Sequence, residues 1–180
     1  EIEETHQIHR NFASSPTTLL LTDPADTNEN MVSYYERLAA RHQGYGVVYS
    51  VTDRDSFDQA HKILKLIGDL YRKVAAGGGP NERAICVLIA TKVDVDFQQQ
   101  QPSQQRVIDT EEGRSMAEYF NCAGFFEISA LTGGLEAGFP VTRNVLVESV
   151  LPPFHCLVET IKREHSDDIC DFFFKHEVFC

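Results

Sequence analysis

A chain of 180 residues, 42% of them hydrophobic, is long enough to bury one core. Its 27 acidic against 16 basic residues leave a formal charge of -11, which argues against nucleic acid or an anionic membrane surface as a direct partner. No run is long and apolar enough to span a bilayer and no signal peptide is visible, while Cys86, Cys122, Cys156, Cys170 and Cys180 form no CxxC or zinc spacing, so reduced thiols and a cytoplasmic location are expected.

In chain order, Glu1 to Arg10 alternates loosely, as an edge strand does, and Asn11 to Pro16 is turn-like. Thr17 to Thr22 (TTLLLT) reads as a buried strand running into the turn formers Asp23-Pro24-Ala25-Asp26. Met31, Tyr34, Tyr35 and Leu38 recur at helical spacing and predict a helix over Asn30 to His42. Gly46 to Val51 (GVVYSV) predicts a strand. Thr52 or Asp53 then caps a helix whose apolar face is Phe57, Ala60, Ile63, Leu64, Ile67, Leu70 and Tyr71. Gly77-Gly78-Gly79-Pro80 closes that unit as a turn. A strand over Ala84 to Ala90 follows, and the low-complexity Gln98 to Gln105 predicts a surface loop.

Thr110-Glu111-Glu112 opens a helix through Tyr119, its carboxylates suited to the N-terminal dipole. Gly124 to Ser129 predicts a strand, Leu131 to Pro152 a long connection, and Pro153 to Glu164 a helix that packs Phe154, Leu157, Val158 and Ile161. Asp167 to Cys180, with Phe172-Phe173-Phe174, fits neither a helix nor a core element. Strands alternating with crossover helices predict an α/β fold, doubly wound, with a mostly parallel sheet covered by helices on both faces. The expected organisation is one domain over residues 1–165 and a tail over 166–180.

The stretch AICVLIATKVDVD, Ala84 to Asp96, carries the chemistry. An apolar strand ends in Thr91-Lys92-Val93-Asp94, where a lysine stem can lie over a flat base and a carboxylate can accept two parallel hydrogen bonds from its edge, as guanine recognition requires. A second strand, GFFEIS, ends in Ser129-Ala130. Parallel strands ending in two such loops hold ligands at their carboxyl ends. Taken singly, each motif reads equally well as solvated loop residues. The seven histidines show no ligand spacing and are expected at the surface.

The order of these motifs resembles the Ras-like small GTPases, over Glu1 to about His165. TTLLLTDPAD looks like the strand ending in DTAG that opens the family's second switch, and GVVYSVTDRDSF like its strand-and-helix signature. TKVD is similar to the base-reading NKxD motif in its TKxD form, and EISA to the ETSA loop. The resemblance implies guanine contacts from Thr91, Lys92, Asp94, Ser129 and Ala130, with the Ala130 amide meeting the base oxygen. It also implies effector contacts from Ile2, Glu3 and Glu4, for which a solvated edge strand is the plain alternative, and a water-mediated reach from Asp23 to Mg2+. GTP or GDP with Mg2+ is the implied ligand, and effector and regulatory proteins are the implied partners.

The departures bear on function. The family opens with a strand, a GxxxxGK[ST] phosphate loop and a helix, and no such motif occurs among these 180 residues. Glu1 to Thr5 resembles the effector segment, so the chain is expected to start in the first switch, with its front missing and Glu1 where the metal-binding threonine would stand. Asp26 replaces the DTAG glycine, Thr27 the water-orienting glutamine, and little intrinsic hydrolysis is expected. Two functions are compatible with this pattern: a nucleotide-dependent switch, or a non-catalytic pseudo-GTPase used as an interaction module. Without the strand that carries the phosphate loop, the strands at Thr17–Thr22 and Gly46–Val51 should flank a gap or be forced together, exposing Leu19 and Val47. No CaaX anchor is visible. The Phe-rich tail is expected to be a partner anchor or a membrane-adjacent segment.

Overall fold

A computed structural model describes residues 4–12, 15–23, 44–77, 84–96, 105–130, 151–165 and 169–175. Six strands form one sheet: β1 (Glu4–Phe12), β2 (Ser15–Asp23), β3 (Gly44–Ser50), β4 (Ile85–Thr91), β5 (Gly124–Glu127) and β6 (Ile169–Lys175). Among the described residues three α-helices accompany them, α1 (Arg54–Ala76), α2 (Thr110–Tyr119) and α3 (Pro152–His165). The strand order is β1-β2-β6-β3-β4-β5. β1 and β2 form an antiparallel hairpin, and every other ladder is parallel. The expected α/β class, with helices on both faces of a mostly parallel sheet, is the observed one.

Period-two alternation divides the core. Tyr45, Val47 and Tyr49 of β3 and Cys86, Leu88 and Ala90 of β4 point to one face, where they meet Ala60, Ile63, Leu64 and Ile67 of α1 and Met116 and Ala117 of α2. Val48 of β3 and Ile85, Val87 and Ile89 of β4 point to the other, against Leu157, Val158 and Ile161 of α3. Covered on both sides, all seven residues of β3 are buried, which is why the strand reads as a continuous apolar run rather than an alternating one. Each fully buried Leu, Ile or Val contributes roughly 1.5–3 kcal/mol.

Local chemistry sets the helix ends. Asp53, not Thr52, caps α1, its Oδ1 accepting from the Asp55 amide at 2.9 Å. Asp109 caps α2 by accepting from the Glu112 amide at 2.7 Å. After α2 the chain reverses through Asn121 at φ 53, a left-handed conformation that asparagine tolerates. Several boundaries shift from expectation. β1 runs on to Phe12, β2 begins at Ser15, and β5 ends at Glu127 rather than Ser129, although the Ile128 amide still bonds to the Ala90 carbonyl at 2.8 Å. The expected helix over Asn30 to His42 and most of the Gln-rich loop lie outside the described residues.

The largest correction concerns the chain's last segment. Residues 169–175, expected in a tail apart from the core, form β6 in the middle of the sheet. β6 pairs with β2 from Thr18↔Ile169 to Thr22↔Phe173 and with β3 from Gly44↔Phe172 to Val47↔Lys175. The expected gap is therefore filled, and Leu19 and Val47, expected to be exposed, are each only 1% accessible. The physical reason is that two open strand edges flanking a slot leave rows of backbone groups unpaired, and a segment of strand length within the chain satisfies them.

Candidate functional site

β4 and β5 are adjacent and parallel, so the loops following them emerge at the same edge of the sheet. Thr91 closes β4. Its hydroxyl donates to the Tyr49 carbonyl at 2.9 Å and its own carbonyl accepts from the Val51 amide at 3.0 Å, so Thr91 anchors the loop to β3. Lys92 follows with φ 64, a left-handed conformation that costs a non-glycine residue about 1–2 kcal/mol. That reversal leaves Lys92 exposed at the sheet edge and turns the chain into the 3-10 segment Val93–Asp96, where Val93 is buried and Asp94 half-buried.

Ser129 is fully buried, and its hydroxyl donates to Asp94 Oδ1 at 2.6 Å, the short distance of a charge-assisted bond. The TKVD loop and the Ser129-Ala130 loop are thus joined side chain to side chain across 35 residues of sequence. Ala130, next in the chain, is exposed. Thr91, Lys92, Asp94, Ser129 and Ala130 therefore sit together at the carboxyl ends of two neighbouring strands.

A second network supports this junction and was not foreseen from the sequence. Arg106 donates from Nε and Nη2 to the Asp96 carboxylate at 2.9 and 2.6 Å, and from Nη1 to Glu127 Oε1 at 2.8 Å. Thr110 Oγ1 adds bonds of 3.1 Å to both Glu127 oxygens. Arg106 thereby ties the turn that carries Asp94 to the strand that leads into Ser129. The bond to Asp96, followed by the pairing with Glu127, holds the guanidinium's proton more firmly than usual. Arg106 follows a glutamine run with no periodicity, so nothing local marked it. Glu127, the first residue of EISA, was in view without a role.

The remaining expected residues lie apart from this pair of loops. Asp23 ends β2 and Glu4 begins β1, and these two are register partners at the same edge of the sheet. β2 stands three ladder steps from β4, roughly 14 Å at the usual strand spacing. Ile2, Glu3, Asp26 and Thr27 lie outside the described residues. Among the described residues no group of three or more His, Cys, Asp or Glu is arranged to hold a metal ion. One carboxylate does not fix Mg2+, which keeps several waters and binds through one or two carboxylates together with phosphate oxygens. A groove of about 840 Å³, lined by residues including Asn121, Cys122, His155, Cys156 and Arg163, lies at the opposite, amino-terminal end of β5 and shares no residue with these loops.

A six-stranded, mainly parallel α/β sheet with lysine, aspartate and serine together at its carboxyl edge is an open-sheet architecture, in which ligands bind at the carboxyl ends of the strands. The Ras family model matches residues 2–139, and the chain belongs to the Ras family. It is similar to GTP-binding protein Rit2 of Mus musculus, with 29% identity over 138 residues that make up 77% of this chain and 56% of the relative. It is also similar to GTP-binding protein Rit1 of Mus musculus, 27% identical over 92% of this chain and 62% of the relative. A GTP-binding protein Rheb homolog of Drosophila melanogaster is 27% identical over 92% of this chain and 74% of its own length. The chain thus spans little more than half the length of the first of these relatives. No described helix is long and apolar enough to cross a membrane.

Proposed function

We propose that this chain is a Ras-type relative whose role is a guanine-nucleotide-dependent signalling switch that binds effector proteins. Thr91, Lys92, Asp94, Ser129 and Ala130 would read the base. The observation that supports it is the 2.6 Å bond from the Ser129 hydroxyl to Asp94, which brings the Asp94 carboxylate beside the Ser129-Ala130 loop at the ends of β4 and β5. The ring N–H and amino group of guanine would donate in parallel to Asp94, and the Lys92 stem would cover the ring. Ile2, Glu3 and Glu4 would face effector proteins. GTP or GDP would supply the phosphates that carry Mg2+, with Asp23 reaching that ion through water. The setting we propose is cytoplasmic.

A non-catalytic interaction module is the second reading, favoured by a particular feature. The strand between β2 and β3 is Ile169–Lys175, and these 180 residues contain no GxxxxGK[ST] loop to cradle phosphates. Asp26 and Thr27, at the family's glycine and glutamine positions, point the same way.

Saturation-transfer NMR together with a fluorescent GDP titration in millimolar Mg2+ separates the two. Tight binding by the 180-residue chain is not expected, because phosphate and metal contacts dominate nucleotide affinity. Guanine nucleotides should still be preferred over adenine nucleotides. Asp94→Asn should erase that preference and shift it toward xanthine by about 5- to 150-fold, the worth of a 1–3 kcal/mol bidentate contact. A chain that treats guanine and adenine alike at every concentration leaves only the interaction module.

A further inference from the structure

The turn that carries Asp94 is four residues long, and the bond that closes it, from the Val95 amide to the Lys92 carbonyl, is long at 3.3 Å. Its firmer hold comes from a side chain. The Asp96 carboxylate accepts from Arg106 three times, from Nε at 2.9 and 3.0 Å and from Nη2 at 2.6 Å. Arg106 is itself fixed to the frame of the sheet. The two residues after it, Val107 and Ile108, donate their amides to the Val51 carbonyl just beyond β3, at 2.8 and 3.0 Å. Its Nη1 donates to the Ile108 carbonyl at 3.2 Å and to Glu127 Oε1 at 2.8 Å, at the last residue of β5. One guanidinium therefore joins the turn after β4 to a segment pinned on β3 and to the end of β5.

A carboxylate accepts two parallel bonds from a flat base only while its plane is fixed. Ser129 holds one Asp94 oxygen, at 2.6 Å, and a single such bond acts as a pivot unless the backbone beneath the carboxylate is held as well. Asp96, two residues on in the same turn, is where Arg106 holds that backbone. The planar fork of arginine can span Asp96 and Glu127 together, whereas a lysine ammonium is a point charge that cannot.

We infer that Arg106 is a positioning residue for base selectivity, clamping the turn at Val93–Asp96 to β3 and β5 so that Asp94 meets both the ring N–H and the 2-amino group of guanine. This role rests on Asp94 reading a guanine edge, as proposed for the chain's function. It has a consequence of its own. A loosened turn still lets Asp94 accept from the ring N–H, which guanine and hypoxanthine share, but no longer from two donors in parallel. Loss of Arg106 therefore erodes discrimination between those two bases more than discrimination against adenine, which lacks that ring N–H.

Saturation-transfer titrations of the full 180-residue chain with guanosine, inosine and adenosine read this directly. The native chain should prefer guanosine to inosine by at least about fivefold. Arg106→Met should cut that preference by at least about threefold while guanosine stays preferred to adenosine. Asp96→Ala, which removes the turn side of the clamp at a partly open pair and leaves Glu127 its bonds, should do the same. Arg106→Lys should not restore the preference. Ile161→Val, a destabilising core change on the α3 face of the sheet, should leave it unchanged. A native chain that prefers guanosine to adenosine but not to inosine, an undiminished preference in Arg106→Met or Asp96→Ala, full recovery in Arg106→Lys, or an equal fall in Ile161→Val overturns the inference while guanine reading by Asp94 stands. A native chain that does not distinguish guanosine from adenosine overturns both.

Discussion

Replacing Arg106 by methionine keeps the apolar stem and removes the guanidinium that links the turn at Val93–Asp96 to β5. The pair with Asp96 is partly open, the carboxylate side chain being 39% accessible, and such pairs contribute about 0–1 kcal/mol. The pair with Glu127 is better protected, at 18% and 25% accessibility, and charged hydrogen bonds of this kind contribute about 1.5–3 kcal/mol before solvent screening lowers them. Glu127 would keep only its bonds from Thr110, at 3.1 Å. The expected loss is therefore about 2 kcal/mol, or roughly 4–8 °C in Tm for a chain of this size. Urea denaturation followed by circular dichroism measures the total. Hydrogen exchange should localise it, with faster exchange at the Val95 and Ile128 amides, which close the two loops. A loss below about 0.5 kcal/mol, or unchanged exchange at both amides, would show that Arg106 does not hold the loops together.

Tyr49 should respond in the opposite direction to most core substitutions. Its buried hydroxyl has no hydrogen-bond partner among the described residues, so Tyr49→Phe should stabilise the chain by about 1 kcal/mol in urea denaturation, and a destabilised variant would reveal a partner. Gly113→Ala should cost about 1–3 kcal/mol, because its Cβ would lie 2.3 Å from that hydroxyl and 2.6 Å from the Phe125 ring. The cost should shrink but not vanish in the Tyr49→Phe background, and strict additivity in the double-mutant cycle would contradict the shared contact. Alkali should destabilise the fold. Burial pushes the Cys122 thiol up from 9.0 to about 12 and raises Cys86 as well. From pH 9 upward the unfolded thiols release protons that the folded state retains, so stability is lost as pH rises toward 12. Urea midpoints at pH 8 and pH 10 check this, and a higher midpoint at pH 10 would reverse the assignment.

The amino-acid sequence by itself determined whatever rests on local periodicity and short motifs. The helical face from Phe57 to Leu70, the helix from Thr110 to Tyr119 and the buried strand around Val87 follow from spacing, because one residue's side-chain direction constrains that of its near neighbours. TKVD and EISA were legible as strand-end loops for the same reason, and their meeting followed once two parallel strands were placed side by side. Tertiary structure alone decided the contacts that span long separations. Arg106 acquires its role from Asp96 and Glu127, one on each side of it in sequence, and Tyr49 loses its hydroxyl's partners through packing that no neighbouring residue specifies. The segment at Ile169–Lys175 is the clearest case. Its mixture of apolar, aromatic and charged residues has no strong period of its own, and its partners Thr18 to Thr22 lie about 150 residues earlier. Strand pairing is settled by which edges remain unsatisfied once the rest of the sheet has formed, so only the assembled sheet could place it at the centre.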